Sequence, residues 1–307
     1  MQTYRIKKKI DIRDLIFYIV LIAFPFLNFC IFYIGVGFNS ILLTFRTYEY
    51  QGAQLVEGWT LFNNLATSVK LLFTDYTHLM ALKNSVVVWV VSYTFNTGLA
   101  LLFSYYIFKK MAGSGFFRVM LFLPSIISVI ALVLIYKYCT DRAVPEIINS
   151  VFGSNIKGLI ENEKTQFATI IFYNVLMGFG TNTLMYSNAM NGIEPEVIEA
   201  GKIDGAVGGR EFFYIVFPMI FSTYITFTII SVGSIFINQA NMFSFFGHGA
   251  SIEIMTMGYY FYEKTSAAGL DLTPYPVLAA TGVLLTLVSI PVTYLVKWAL
   301  EKYGPQM

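Results

Sequence analysis

Six stretches free of Asp, Glu, Lys, Arg and His dominate the chain: Leu15–Phe45, Asn84–Phe108, Val119–Tyr136, Thr165–Ile193, Phe212–Gly247 and Leu272–Val296. Each is 18 residues or longer and dense in Leu, Ile, Val, Phe and Tyr. About 20 apolar residues in a helix cross roughly 30 Å of hydrocarbon, and a helix satisfies its own backbone where water is absent. The expected fold class is therefore an all-α membrane protein with six transmembrane helices. The fifth run is too long for one span and too short for two, so it should leave the bilayer before Asn241, with the stretch around His248 outside. Composition agrees. The chain is 56% hydrophobic and 12% charged, against about 25% charged in soluble domains. That excludes disorder and argues against a soluble enzyme. A net charge of +2 provides no field for nucleic acid. Cys30 and Cys139 lie in apolar surroundings and read as free buried thiols.

The basic N-terminus (Arg5, Lys7, Lys8, Lys9, Arg13) could open a secretory signal peptide. The apolar run behind it has 31 residues, too long for such a peptide, and no small-residue cleavage site follows. A retained first helix is expected. With six spans both termini share a side. That side would carry twelve of the Lys and Arg residues and the other side eight. The positive-inside rule then places residues 1–14 and the C-terminus in the cytoplasm of a plasma membrane.

The polar stretch Glu194–Glu211 falls between the fourth and fifth runs on the cytoplasmic side. Pro195 suits the first position of a helix, where its missing N–H is not needed. Glu196 beside it faces the positive end of the helix dipole. A short helix over Pro195–Lys202 is expected. Asp204-Gly205 and Gly208-Gly209 then signal a turn, and a second helix should start near Arg210 and enter the membrane. Such an element must meet water or a partner protein.

The same residues resemble the EAA loop of permease subunits of bacterial ABC importers. That pattern reads Glu-Ala-Ala, three residues, Gly, nine residues, Ile, one residue, Leu-Pro. Here it is Glu199-Ala200-Gly201, Gly205, Ile215 and Phe217-Pro218, with Gly201 for Ala and Phe217 for Leu. Ile203-Asp204-Gly205-Ala206 is similar to the sugar-permease branch. The order of spans and the outer loops look like the maltose-type first-subunit permeases and the related polysaccharide permeases. The resemblance implies a type I ABC importer transmembrane domain over residues 15–307, with a coupling loop over residues 191–213. It implies that Glu199, Ala200, Gly201, Asp204 and Gly205 dock on an ATPase subunit dimer. A second, different permease subunit and an extracellular solute-binding protein are the other implied partners, and a sugar or oligosaccharide the implied substrate. Glu199 offers a charge to a partner's Arg or Lys, and Gly205 permits the turn.

The chain should not hydrolyse ATP itself. Its Gly201-Lys202 has Glu196 where a P-loop needs its first Gly and Ile203 where it needs a hydroxyl. Neither a nucleotide cofactor nor a metal is expected here, with ATP and Mg belonging to the partner. Polar residues within spans often face a cavity. The fourth run holds Asn174, Thr181, Asn182 and Asn188, and the fifth Ser231, Ser234, Asn238 and Gln239. The resemblance implies that Asn174, Gly178, Ser231 and Asn238 contact sugar, and Tyr173 and Phe236 are candidates for ring stacking. The competing classes are an ABC permease for a peptide, amino acid or polyamine, and a self-sufficient carrier or channel. A proton- or sodium-coupled carrier usually needs an ionisable residue within a span, and the six runs hold none.

Overall fold

A computed structural model describes residues 12–305 apart from 53 and 154. The basic cluster Arg5, Lys7, Lys8 and Lys9, on which the orientation argument leans, lies outside the described residues.

The first helix is α1 (Ile12–Asn28), which passes through a π-helical segment, Phe29–Gly35, into α2 (Val36–Leu43). A hairpin of β1 (Arg46–Gln51) and β2 (Gln54–Trp59) follows, then α3 (Asn63–Thr74) and α4 (Tyr76–Phe108). Next come α5 (Ser114–Ile126), α6 (Val129–Tyr138), α7 (Val144–Phe152) and α8 (Glu163–Asn191). They are followed by α9 (Pro195–Ile203), α10 (Gly209–Glu211), π-helical Phe212–Val216, α11 (Phe217–Met219) and α12 (Phe221–Gly233). The chain ends with α13 (Met242–Phe246), α14 (Met257–Ala268) and α15 (Tyr275–Tyr303).

Among the described residues, four helices are long and apolar enough to cross a bilayer: Leu15–Leu43, Tyr76–Phe108, Glu163–Asn191 and Tyr275–Tyr303. Two bent pairs bring the number to six if each counts as one span. Ser114–Ile126 meets Val129–Phe152 at 105°, and Gly209–Met219 meets Phe221–Gly233 at 70°. Both breaks have local causes. Pro124 has no N–H to continue the helix ladder, and Ile127 and Ser128 after it are extended, with ψ of 144° and 132°. Pro218 weakens the second pair in the same way, just before the bend at Ile220. The third run, read from the sequence as one span over Val119–Tyr136, is thus two helices. The fifth ends its regular helix at Gly233, well before Asn241.

The chain divides into two compact units, residues 1–69 with 270–284, and residues 70–269 with 285–307. In the first, the most apolar window of the 15–43 helix buries none of its residues. The β-hairpin pairs Arg46 with Trp59 and Gln51 with Gln54. The Arg46–Glu57 ion pair spans it at 3.0 Å. Asn64 Nδ2 donates to the carbonyls of Thr44 and Arg46, and Ser68 Oγ to that of Val277. No periodic signal in the sequence marked this hairpin.

In the second unit α4 and α8 pack along one another, with Ser104 Oγ donating to Thr183 O at 2.7 Å. Between apolar helices in lipid, close packing and such hydrogen bonds replace the hydrophobic effect as the driving force. One buried cluster joins Ala100, Tyr186, Met190, Ile193, Ile198, Phe212, Val216 and Ile220, and so seats α9 and the segment after it on α4 and α8. A second joins Val133, Ile160, Ile170, Tyr173, Phe245 and Ile254. The cysteines depart from expectation: Cys139 is exposed and Cys30 half-buried, since apolar helix faces in a membrane protein need not face a protein core.

Candidate functional site

The segment over residues 194–211 is built as its residue types dictate. Pro195 opens α9, and Glu194 before it is extended, with ψ of 131°. Ile198 and Gly201 are buried, while Glu199, Ala200, Lys202, Asp204 and Gly205 are exposed. The helix therefore lays one face on the bundle and presents the other outward. Gly201 is where the motif ordinarily has Ala, and a Cβ there would overlap Ile215 Cδ1. The departure from the pattern is thus a close-packing contact between two of its own positions. Gly205 has φ of +80° and Gly208 +61° with ψ of −121°, a region that L side chains avoid. The turn ends on Glu211, which is fully buried. Lys109 Nζ, just beyond α4, donates to both its oxygens at 2.8 and 3.0 Å. Tyr105 OH lies 3.3 Å from Glu211 Oε1 and donates to Gly208 O at 3.0 Å.

A cavity of about 220 Å³ opens among α4, α8 and α12, lined by Trp89, Ser92, Tyr93, Asn96, Asn182, Tyr186, Ser231, Ser234 and Asn238 among others. None of its lining residues is acidic or basic. Trp89 Nε1 donates to Ser231 Oγ at 2.9 Å, and the Trp89 and Tyr93 rings stack at 5.8 Å. Three lining residues carry buried polar atoms without a hydrogen-bond partner among the described residues: Ser92 Oγ, Asn96 Oδ1 and Tyr186 OH.

The four residues matched to a sugar-contact pattern separate here. Ser231 and Asn238 line the cavity. Asn174 does not: its Nδ2 donates to Ile170 O and Ala240 O, and its Oδ1 accepts from Asn241 Nδ2 at 2.8 Å. It pins the segment after α12. Gly178 is also off the cavity wall, where a Cβ would come within 2.7 Å of Asn96 Nδ2. It lets α8 approach α4 where Asn96 stands. Tyr173 is buried against Tyr136 and Phe245 and has no face to offer a ligand. The α4 contribution was missed from sequence. Its signal was present: Ser92 and Asn96, with Trp89 and Tyr93, recur every four residues and so share a helix face. Lys109 and Glu211, 102 positions apart, left no such signal.

The segment carrying Asn238 is held from outside. Asn84 Nδ2 donates to Glu253 O and Met255 O, Met257 N–H to Ser85 Oγ, and Thr256 Oγ1 to Asn238 O.

Residues 97–303 match the family model for the binding-protein-dependent transport system inner membrane component. The chain is 28% identical over 194 residues to a probable ABC transporter permease protein of Mycoplasma pneumoniae, covering 61% of this chain and 57% of that protein. The chain thus spans little more than half the length of that curated relative. It is 26% identical over 201 residues to the lactose transport system permease protein LacF of Rhizobium radiobacter, covering 63% of this chain and 67% of LacF. It is 26% identical over 218 residues to the arabinooligosaccharides transport system permease protein AraP of Halalkalibacterium halodurans, covering 69% and 67%. Its fold matches a chain of a bacterial ABC transporter involved in importing the acidic polysaccharide alginate, with TM-score 0.74 and 18% identity over 95% of this chain and 97% of that one.

Proposed function

The chain belongs to the family of binding-protein-dependent transport system inner membrane components, and we propose that it is the permease subunit of an ATP-driven importer that carries a neutral sugar or oligosaccharide inward. It forms half of the pathway beside a second, different permease subunit. An external solute-binding protein delivers the cargo, and an ATPase dimer docks beneath. Both termini, residues 1–14 included, are cytoplasmic, and residues 15–307 form the transmembrane domain around the coupling loop 191–213.

The observation that carries this reading is the pairing of an outward-facing knuckle with a polar cavity on one bundle. In α9 and the turn after it, Glu199, Ala200, Asp204 and Gly205 are free to meet the ATPase, while Ile198 and Gly201 seat the helix against the membrane helices. ATP and Mg, held by the ATPase, supply the energy. This chain contributes a lever, α9, and a wall, the cavity faces of α4, α8 and α12.

The wall supports a neutral cargo. A charged one leaving water would find no counter-charge on this chain's half of the pathway, which is unfavourable. Ser92, Asn96 and Tyr186 offer a hydroxyl, a carbonyl oxygen and a phenol that have no partner among the described residues. A buried unsatisfied polar group costs about 1–3 kcal/mol, and sugar hydroxyls would relieve that. The stacked Trp89–Tyr93 pair adds an aromatic edge against which a sugar ring can lie. Relatives named for lactose and arabino-oligosaccharides support a carbohydrate.

The test is uptake by the full complex in liposomes, using a panel of labelled neutral oligosaccharides, an acidic oligosaccharide and a dipeptide. ATP-dependent entry of a neutral sugar is expected, and entry of only the acidic compound or the dipeptide overturns the assignment. Asn96→Leu separates ligand contact from packing. Removing the unpartnered carbonyl oxygen should cost the fold little, yet should raise KM for uptake about tenfold, the equivalent of ~1.4 kcal/mol. An unchanged KM would show that Asn96 does not touch cargo. Asn238→Leu should also weaken uptake, with a loss of about 1 kcal/mol in stability, because Asn238 Oδ1 accepts from Ala240 N–H at 2.8 Å.

A further inference from the structure

The Lys109–Glu211 pair is the one feature of the coupling region that the docking knuckle does not explain. Glu211 is fully enclosed, and its side chain receives Lys109 and Tyr105, both from the cytoplasmic end of α4. Tyr105 also holds Gly208 O, and its ring meets Phe212 edge-on at 5.2 Å. A buried ion pair is seldom retained for stability, since apolar side chains of similar volume often serve as well. What it offers is a fixed mutual position. α9 needs that here. On its far side it is followed by Gly205 and Gly208, both at a positive φ that L side chains rarely adopt, so the loop could swivel about them. The chain connects α9 directly to α8 and to α10, but not to α4. Yet α4 supplies Trp89, Ser92, Tyr93 and Asn96 to the cavity.

We infer that the Lys109–Glu211 pair, steadied by Tyr105, is the positioning clamp that makes α4 move with the coupling loop, so that docking-driven rotation of α9 reaches the cavity wall. The inference rests on the proposed function. α4 and the segment after the clamp face one another across a crevice of about 370 Å³, lined in part by Thr94, Leu101, Phe213, Phe217 and Tyr224. Its opening and closing report the transmitted motion.

The experiment uses the permease complex with its ATPase in nanodiscs, in a Cys30→Ser, Cys139→Ser background. Thr94→Cys is labelled with a water-soluble maleimide, with and without vanadate-trapped ATP. With the clamp intact, trapping should change the labelling rate at least fivefold. Glu211→Gln or Lys109→Met should reduce that change to below twofold while vanadate trapping persists, because the ATPase still closes. An undiminished change in both variants overturns the inference. If the single variants do not assemble, the reversed pair Lys109→Glu/Glu211→Lys decides. Assembly with the labelling change restored supports the clamp. Assembly without the change, or no assembly, overturns it, the pair then serving the fold alone. If the intact complex traps nucleotide and shows no change in labelling, the inference is overturned, whereas a chain that neither binds an ATPase nor supports nucleotide trapping fails the importer reading instead.

Discussion

Gly205→Val is expected to abolish ATP-driven uptake while leaving ATP hydrolysis by the assembled complex running. At φ of +80° a branched side chain clashes with its own backbone, a strain of about 1–3 kcal/mol or more. Nothing lies within 4 Å of a Cβ placed there, so crowding by neighbours plays no part. The chain can escape the strain only by refolding the turn, and the turn sets the angle between α9 and the helix that enters the membrane. Uptake in reconstituted vesicles should fall by about two orders of magnitude, the equivalent of ~2.7 kcal/mol. Gly205→Asn is the control, since asparagine tolerates left-handed backbone, and it should retain uptake within about threefold. Glu199→Lys should uncouple by a different route, reversing a charge on the exposed face while the helix stays intact. Normal uptake by both Gly205→Val and Glu199→Lys would remove the knuckle from the mechanism.

Gly258→Val should be the most damaging substitution outside the coupling region. A Cβ at 258 would overlap Ile237 O and lie 2.6 Å from Ile237 C and 2.8 Å from Asn238 C. All three are backbone atoms, which cannot rotate away as a side chain can. The first turn of α14 would have to lift off the segment that carries Asn238, breaking the Thr256–Asn238 and Ser85–Met257 hydrogen bonds. Overpacking against side chains costs about 1–3 kcal/mol, and rigid backbone puts this case at or above the upper end. The yield of monodisperse protein in detergent should collapse, and Gly258→Ala should lower the melting temperature measurably. Wild-type melting of both variants would mean that α14 does not press on this segment.

Much of this architecture was legible before any coordinates. Charge-free runs located the spans because the bilayer imposes a length and a composition that few other environments do. Pro195, Asp204-Gly205 and Gly208 marked α9 and its turn because each has a backbone requirement independent of tertiary context. The legible part ended where partners are distant in the chain. Asn174 and Asn238 look alike as polar residues in apolar runs. One spends its amide holding residues 240 and 241, the other lines the cavity, and only the fold distinguishes them. The α4 stripe from Trp89 to Asn96 was visible as a four-residue recurrence, but a helix face has no meaning until its neighbours are known. The breaks after Pro124 and Pro218 follow a similar logic. Proline weakens a span, and packing decides whether the helix bends or continues.

Coupling by this chain requires contact between the exposed face of α9 and an ATPase. Its most direct test is photo-cross-linking from position 199 in native membranes, with the adduct sequenced by mass spectrometry. One dominant adduct is expected, to a P-loop ATPase. Adducts to lipid or to this chain alone, from membranes that still accumulate solute, would contradict that contact.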